Sequence, residues 1–294
     1  MSAEFRPKCD NCRRDDTTII YTSTLKSGLD ESDFTVFGEL GEYPQIVRCN
    51  HCDLIYAYPR DDGSDLEKKY KDLPVLEYLE EVESRQLISK KDAQLVESYC
   101  KEGRILDIGC SAGIFLSQLK PHFEKFGIEP SVHAAREAQI TVSDGQIYNS
   151  LFQETSLERK SFNVITMWDV IEHLDSPSKV LSELHNLLTD KGYLILVTPN
   201  ISGLMSRIMG KRWPHLIRGH IYYFSPKTIR IALERAGYEV LSIKGYTRYF
   251  KISYILKRVG IIKNSRSWPT CLSGVDINVP VNLDDAMCVV ARKV

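Results

Sequence analysis

Two groupings of residues in this 294-residue chain have the types and spacing for chemistry. Four of its eight cysteines fall early, as Cys9-Asp-Asn-Cys12 and Cys49-Asn-His-Cys52. A two-residue spacing lets one knuckle turn both thiolates onto the same ion. Four thiolates from two such pairs suit a tetrahedral structural zinc with no coordination position left open. A redox pair, which asks for a following helix that the pattern does not offer, and unrelated free thiols are the other readings. His51 stands beside the second pair, as a neighbour or as a substitute ligand. The second grouping is a glycine turn after an acid, Asp107-Ile-Gly109-Cys110-Ser111-Ala-Gly113, with Glu129 twenty-two residues beyond Asp107. A strand, a glycine turn and a helix open a nucleotide-binding α/β unit. The dinucleotide frame G-x-G-x-x-G fails here, because it meets Ser111 and Ile114 where glycines are needed.

The elements that hold these groups follow from hydrophobic patterning. Arg104–Ile108, Phe123–Ile128, Phe162–Trp168, Tyr193–Thr198, Tyr238–Lys244 and Met287–Arg292 are short apolar runs, with helical patterns such as Pro177–Leu188 and Pro226–Ala236 between the earlier ones. Alternating strands and helices predict an α/β domain whose largely parallel sheet is covered on both faces. Before it, the 36 residues between the cysteine pairs exceed the gap of a compact finger, and IIYTS with FTVFG predicts a hairpin in that gap. Pro59 and Asp61-Asp62-Gly63 supply a break, and the charged stretch from Asp65 to Tyr99 reads as connecting helices. The expected division is a cysteine module over 1–62, connecting helices over 63–100 and the α/β domain over 101–294.

Composition bounds the class. A hydrophobic content of 43% excludes disorder, collagen and coiled coil. No apolar run reaches the roughly eighteen residues of a spanning helix, and MSAEFRPKC lacks the apolar stretch of a signal peptide. The expectation is a soluble, cytoplasmic chain. Net charge is −1, yet residues 191–275 carry fifteen Lys or Arg against Glu234 and Glu239, a +13 segment that leaves −14 elsewhere. Such a bias attracts anions, or else balances an acidic face of the same molecule.

The motifs carry a resemblance. Leu106-Asp107-Ile-Gly109-Cys110-Ser111-Ala-Gly113 resembles motif I of the class I S-adenosylmethionine-dependent methyltransferases, with Ser111 where the middle glycine often lies. Phe162-Asn-Val-Ile-Thr-Met-Trp168-Asp169-Val-Ile-Glu-His173 is similar to the family's fourth-strand motif, and Lys191–Asn200 to its fifth strand. His220-Ile-Tyr222-Tyr-Phe-Ser-Pro-Lys-Thr resembles the subgroup of ubiquinone-pathway O-methyltransferases and polysaccharide-cluster enzymes, and the paired cysteines with Leu54-Ile-Tyr resemble a zinc-ribbon extension on some of them. The resemblance implies a Rossmann-like, seven-stranded, mostly parallel sheet with a small N-terminal zinc-ribbon-like module. It implies S-adenosylmethionine as cofactor, with Asp107, Gly109, Cys110, Ser111 and Gly113 around its methionine end. Glu129 would take the ribose hydroxyls, Phe152 would lie near the adenine, and Trp168 and Asp169 would flank the cofactor.

Methyl transfer from a sulfonium is an in-line displacement in which positioning supplies much of the acceleration. A base is needed only where the acceptor keeps its proton near neutrality, and His173, His220 and Tyr222 are the candidates. Asp169 and His173, four apart, are placed for a loosely held divalent ion. Segments 200–225 and 246–280 are expected to build an acceptor pocket and lid. Arg212 and Arg218 suggest an anionic small-molecule or sugar acceptor, phosphorylated or lipid-linked. The interleaved apolar and basic residues of 249–264 serve as a lid or as a peripheral membrane contact. A methyltransferase or adaptor that grips RNA through the zinc ribbon and basic segment is the competing reading; the basic residues lie outside the ribbon, which counts against nucleic acid. Patterning leaves the acceptor atom and the oligomeric state undetermined.

Overall fold

A computed structural model describes residues 8–25, 41–58, 82–258 and 277–294. The expected strand FTVFG and the first part of the connecting segment lie outside them. The main sheet has seven strands. They are β4 (Gly103–Ile108), β5 (Phe123–Ile128), β6 (Gly145–Tyr148), β7 (Phe162–Trp168), β8 (Leu188–Pro199), β10 (Tyr238–Gly245) and β13 (Ala286–Lys293). Their spatial order is β10-β13-β8-β7-β4-β5-β6. Strands β8, β7, β4, β5 and β6 run parallel, and β13 is antiparallel to both of its neighbours. The Rossmann-like, mostly parallel sheet is thus as its sequence implied.

Each central strand is apolar on both sides, because the period-two alternation of a strand feeds two cores at once. Leu106, Ile165, Met167, Leu194 and Leu196 pack on one face, with α4 (Pro177–Leu187) and α6 (Pro226–Arg235) supplying Leu181, Leu184, Ile229 and Leu233. Ile105, Val164, Ile195 and Val197 point the other way. They meet Ala93 and Val96 of α1 (Val82–Tyr99), Phe115 and Leu116 of α2 (Ile114–Gln118) and Ala138 of α3 (Val132–Thr141). Local chemistry starts the helices where they are needed. Ser131 caps α3 by accepting from Ala134 N–H, and Ser225 caps α6 ahead of Pro226, whose missing N–H costs nothing at that position.

The cysteine module is built into a second sheet. Strands β1 (Thr17–Tyr21), β2 (Ile46–Cys49) and β3 (Ile55–Ala57) run antiparallel, and β3 pairs with β9 (Tyr222–Tyr223), which comes from the segment between β8 and α6. The IIY strand therefore pairs with the strand that leads into the second cysteine knuckle. A two-stranded ribbon of β11 (Arg248–Lys251) and β12 (Asn278–Val281) completes the strands, and α5 (Leu204–Met209) and α7 (Ile252–Arg258) the helices, among the described residues. No helix among them is long and apolar enough to cross a membrane.

Leu194 lies at the centre of the sheet with no exposed surface. Leu194→Ala is expected to cost about 2–5 kcal/mol through lost burial and an unfilled cavity, read as a lower urea midpoint at unchanged m-value.

Candidate functional site

The chain leaves β4 towards β5 and β6 on one side and returns through β7 and β8 on the other, so a crevice opens at the carboxyl ends of β4 and β7. A cavity of about 400 Å³ occupies it, within the size range of small-molecule sites. Its floor is the glycine turn. Gly109 has φ +72°, and a Cβ there would stand 2.7 Å from Val170 Cγ2. Only glycine meets both demands without displacing the wall. Ser111 at φ 48° and Asp169 at φ 55° hold left-handed backbone without being glycine, strain of the kind that concentrates at binding sites.

Asp107, Gly109, Cys110, Ser111, Trp168 and Asp169 line the cavity together. Asp107 is buried and accepts from Thr166 Oγ1 at 2.7 Å; burial pushes its carboxyl well above the ordinary range. Trp168 packs edge-on against Phe115, and its Nε1, like Ser111 Oγ, is buried with no hydrogen-bond partner among the described residues. Buried polar groups in folded proteins are rarely left so, and two on one cavity wall fit a polar ligand.

Other expected residues stand behind this wall. Gly113 (φ +75°) brings the turn against α3, where a Cβ would lie 2.6 Å from Val142 Cγ2. Glu129 is buried and clamps the turn to the end of β5: Oε2 accepts from Ser111 N–H at 2.9 Å and Oε1 from Ser131 N–H at 2.8 Å. Phe152 lies buried in a short 3₁₀ turn, also outside the cavity lining.

The far wall is a histidine cluster. His173 and His220 lie with ring centroids 4.6 Å apart, and His215 stacks on His220 at 5.9 Å. Nδ1–H of His173 donates to Gly219 O and Nδ1–H of His220 to His215 O, each at 2.8 Å, since a carbonyl can only accept. Both tautomers are thereby set, with Nε2 as the basic nitrogen. Burial lowers both pKa values, that of His220 well below the usual imidazole range with help from its histidine neighbours, so both rings are neutral near pH 7. Tyr222 does not line the cavity; its hydroxyl donates to Asp175 O at 3.1 Å and holds the turn after His173.

Several cavity residues were not among the site candidates read from the sequence. Glu172 is fully buried, accepts from Thr198 Oγ1 at 3.0 Å, and leaves Oε1 without a partner among the described residues. Burial and the nearby Asp169 push its carboxyl well above the usual range. Glu172, His173 and His220 can each turn one ligand atom to within 4.8 Å of the others. Asp169, expected beside His173 at an ion, instead accepts from Arg248 Nη2 at 2.7 Å. Arg248, on the β11 ribbon, thus lines the cavity, as does Arg85 of α1, whereas Arg212 and Arg218 lie outside the lining. Asp92 reaches in from α1 and accepts from the Tyr246 hydroxyl at 2.8 Å. Only the folded chain brings positions 92, 172 and 248 together; Glu172, beside His173, was the one with a local cue.

The four early cysteines also converge. Sγ of Cys9 lies 3.5 Å from that of Cys52, Sγ of Cys12 lies 3.4 Å from that of Cys49, and all four fall within 4.8 Å of one another. Thiolates about 2.3 Å from a central zinc in tetrahedral geometry would stand about 3.8 Å apart, so the set fits such an ion. His51 is exposed and outside the cluster, 3.7 Å from Asp16.

A family described as a methyltransferase domain matches residues 78–243. The ubiquinone biosynthesis O-methyltransferase of Albidiferax ferrireducens is 30% identical over 106 residues, covering 34% of this chain and 42% of that protein. The tRNA U34 carboxymethyltransferase of Helicobacter pylori is 27% identical over 153 residues, covering 49% of this chain and 59% of that one. The chain thus spans about two fifths to three fifths of the length of these relatives. Among solved structures, an S-adenosylmethionine-dependent methyltransferase from Thermotoga maritima superposes with a TM-score of 0.52 at 20% identity, over 75% of this chain and 96% of that one.

Burial pushes the Asp92 carboxyl up to about 7, against about 3.9 in an unfolded chain. The folded state therefore holds the proton more tightly, and this group's contribution falls as pH rises from about 4 to about 7. Asp92→Asn, which can still accept from Tyr246, is expected to flatten that part of the stability–pH curve in urea titrations at pH 5 and pH 8.

Proposed function

Since the chain belongs to the methyltransferase-domain family, in its class I S-adenosylmethionine-dependent branch, we propose that it methylates a small-molecule or sugar acceptor held against His173 and His220. The observation that carries this reading is a single cavity with the glycine turn on one wall and two neutral, tautomer-defined imidazoles on the other. S-adenosylmethionine, when bound, supplies a methyl group on a sulfonium centre. The residues present fit that cofactor: the turn at Gly109 admits close backbone approach, and Ser111 Oγ and Trp168 Nε1 are unsatisfied donors on the cavity wall. Asp107 and Asp169 bring acidic groups towards a cationic ligand. Glu129 keeps the turn in place, and its carboxylate, which retains further acceptor capacity, would be the group to meet a ribose diol. Phe152 would serve as part of the adenine surround, one shell further out.

On the acceptor side, Nε2 of His220 or His173 would take the proton of a hydroxyl acceptor as the nucleophile forms, and the buried rings exclude competing water. Arg248, in exchange for Asp169, or Arg85 would meet an anionic substituent. Cys9, Cys12, Cys49 and Cys52 would hold a structural zinc. An RNA acceptor is the second reading, favoured by the likeness to the Helicobacter tRNA enzyme and by Arg207, Lys211 and Arg212, all exposed before the cavity segment at Pro214–His215. Salt-dependent RNA retention with a steep slope would favour it over the small-molecule acceptor.

Isothermal titration of S-adenosylhomocysteine is expected to show micromolar binding, weakened about tenfold or more by Asp107→Ala or Glu129→Ala, which remove a cavity carboxylate and the clamp on the turn. A folded protein that takes up no cofactor would refute the enzyme reading. His220→Asn is expected to cut turnover about a hundredfold or more with cofactor affinity nearly unchanged, once an acceptor is found among phenols and sugar phosphates. Metal analysis is expected to return one zinc per chain, lost in Cys9→Ser together with Cys49→Ser.

A further inference from the structure

The first cysteine knuckle bonds to the start of the helix that follows His173, and the strand after the second knuckle pairs with the segment that follows His220. Asp10, between Cys9 and Cys12, is buried, and its carboxylate accepts from Ser178 N–H at 2.7 Å, Ser178 Oγ at 2.9 Å and Ser176 Oγ at 3.1 Å. Ser176 is the N-cap residue of α4 but makes no side-chain cap of its own. A carboxylate from 168 residues away therefore caps the helix that follows the His173 turn, where its charge also meets the positive helix end. Next to it, Asn11 Nδ2 donates to Thr228 O at 2.8 Å in the first turn of α6, and Arg235 donates to Asn11 O.

The second knuckle leads into β3, whose Ala57 N–H donates to Ile221 O at 2.8 Å; Ile221 N–H in turn donates to Glu172 O at 2.9 Å. The ladder then continues as Tyr56 opposite Tyr222. Cys9, Cys49 and Cys52 share one apolar cluster with Ile171, Ile221 and Tyr222. That cluster also holds Leu106, Ile108 and Ile128 of β4 and β5, so it is the hydrogen bonds, not the apolar packing, that single out the acceptor wall. By contrast, the cofactor turn has its own fastening in Glu129, whose carboxylate accepts from Ser111 N–H and Ser131 N–H.

We propose that the four-cysteine module is the positioning device of the acceptor wall, with Asp10 as the positioning residue that ties its first knuckle to the His173 segment. This rests on the reading of the cavity given above, in which the histidine wall receives the acceptor. The module then sets the distance between the histidines and the cofactor turn, and a change at the knuckles is felt on one wall only.

Amide exchange followed by mass spectrometry on the full chain tests this without turnover. Asp10→Ala is expected to speed exchange in segments 170–178 and 219–224 about tenfold, the effect of losing charge-assisted hydrogen bonds, while segment 105–113 stays within about twofold. Asp10→Asn keeps a carbonyl oxygen to accept from Ser178 N–H and is expected to restore part of the protection, whereas Asp10→Leu, which supplies bulk without an acceptor, is expected to restore none. Stripping the metal with a chelator is expected to open the same two segments. Equal deprotection of all three segments, or chelation and Asp10→Ala that leave 170–178 and 219–224 unchanged, would overturn the proposal. The cofactor titration is separate: S-adenosylhomocysteine that fails to bind a chain with this segmental pattern defeats the methyl-transfer reading and leaves the coupling standing.

Discussion

The reversal of strand order between β4 and β7 is the constraint on which everything else depends. Parallel strands need crossovers, and crossovers that leave β4 and β7 in opposite directions cannot both cover the ends of those strands. The gap that results sits over the β4–α2 turn, whose Gly109, Cys110 and Ser111 N–H groups are tied back to Ile128 O and Glu129 Oε2. A glycine at 109 and a left-handed serine at 111 follow from it, since the chain must turn tightly without filling the space it has opened.

The cavity concentrates acids that are costly to ionise. Asp92, Asp107 and Glu172 are all held above their ordinary carboxyl ranges by burial, and each has a hydroxyl partner: Tyr246, Thr166 or Thr198. Asp169 differs in having Arg248 against it. The site is thus closer to neutral than its composition suggests, which suits a cavity that takes a cationic cofactor on one wall and keeps imidazoles neutral on the other. The +13 segment between 191 and 275 is also less free than it looks. Lys227 meets Asp53, Lys251 meets Glu83 and Arg248 meets Asp169, each a partner from the acidic remainder of the chain. Part of the charge asymmetry is therefore internal balance, while Lys191, Arg207, Lys211, Arg212, Arg230, Arg235 and Lys244 stay exposed among the described residues.

The N-terminal module shows how little surface an added domain needs when it shares a sheet. Its three strands would make a marginal unit alone, and β9 extends them with a strand from the larger domain. The hydrogen bonds of that pairing also fix where the histidine segments run, so one contact serves stability and site geometry together.

The sequence by itself determined six of the seven main-sheet strands, all but β6, with the glycine turn and the cysteine pairs, because each is a local pattern: an apolar run, a glycine after a strand, thiols two residues apart. It therefore carried the sheet class, the floor of the cavity and the four thiols that converge. What it could not carry is which distant side chains meet. Asp92, Glu172 and Arg248 come from a helix, a short turn and an edge ribbon, and nothing in the period of any of these marks a residue as facing a cavity. The same reason removed Tyr222 from the acceptor wall, since its hydroxyl meets Asp175 O, a partner 47 residues away that no local pattern indicates. It also placed Arg248, rather than Arg212 or Arg218, in the cavity. Local chemistry decides what a segment becomes, while side-chain encounters across more than a hundred residues are settled only when the two cores close and the strand order reverses.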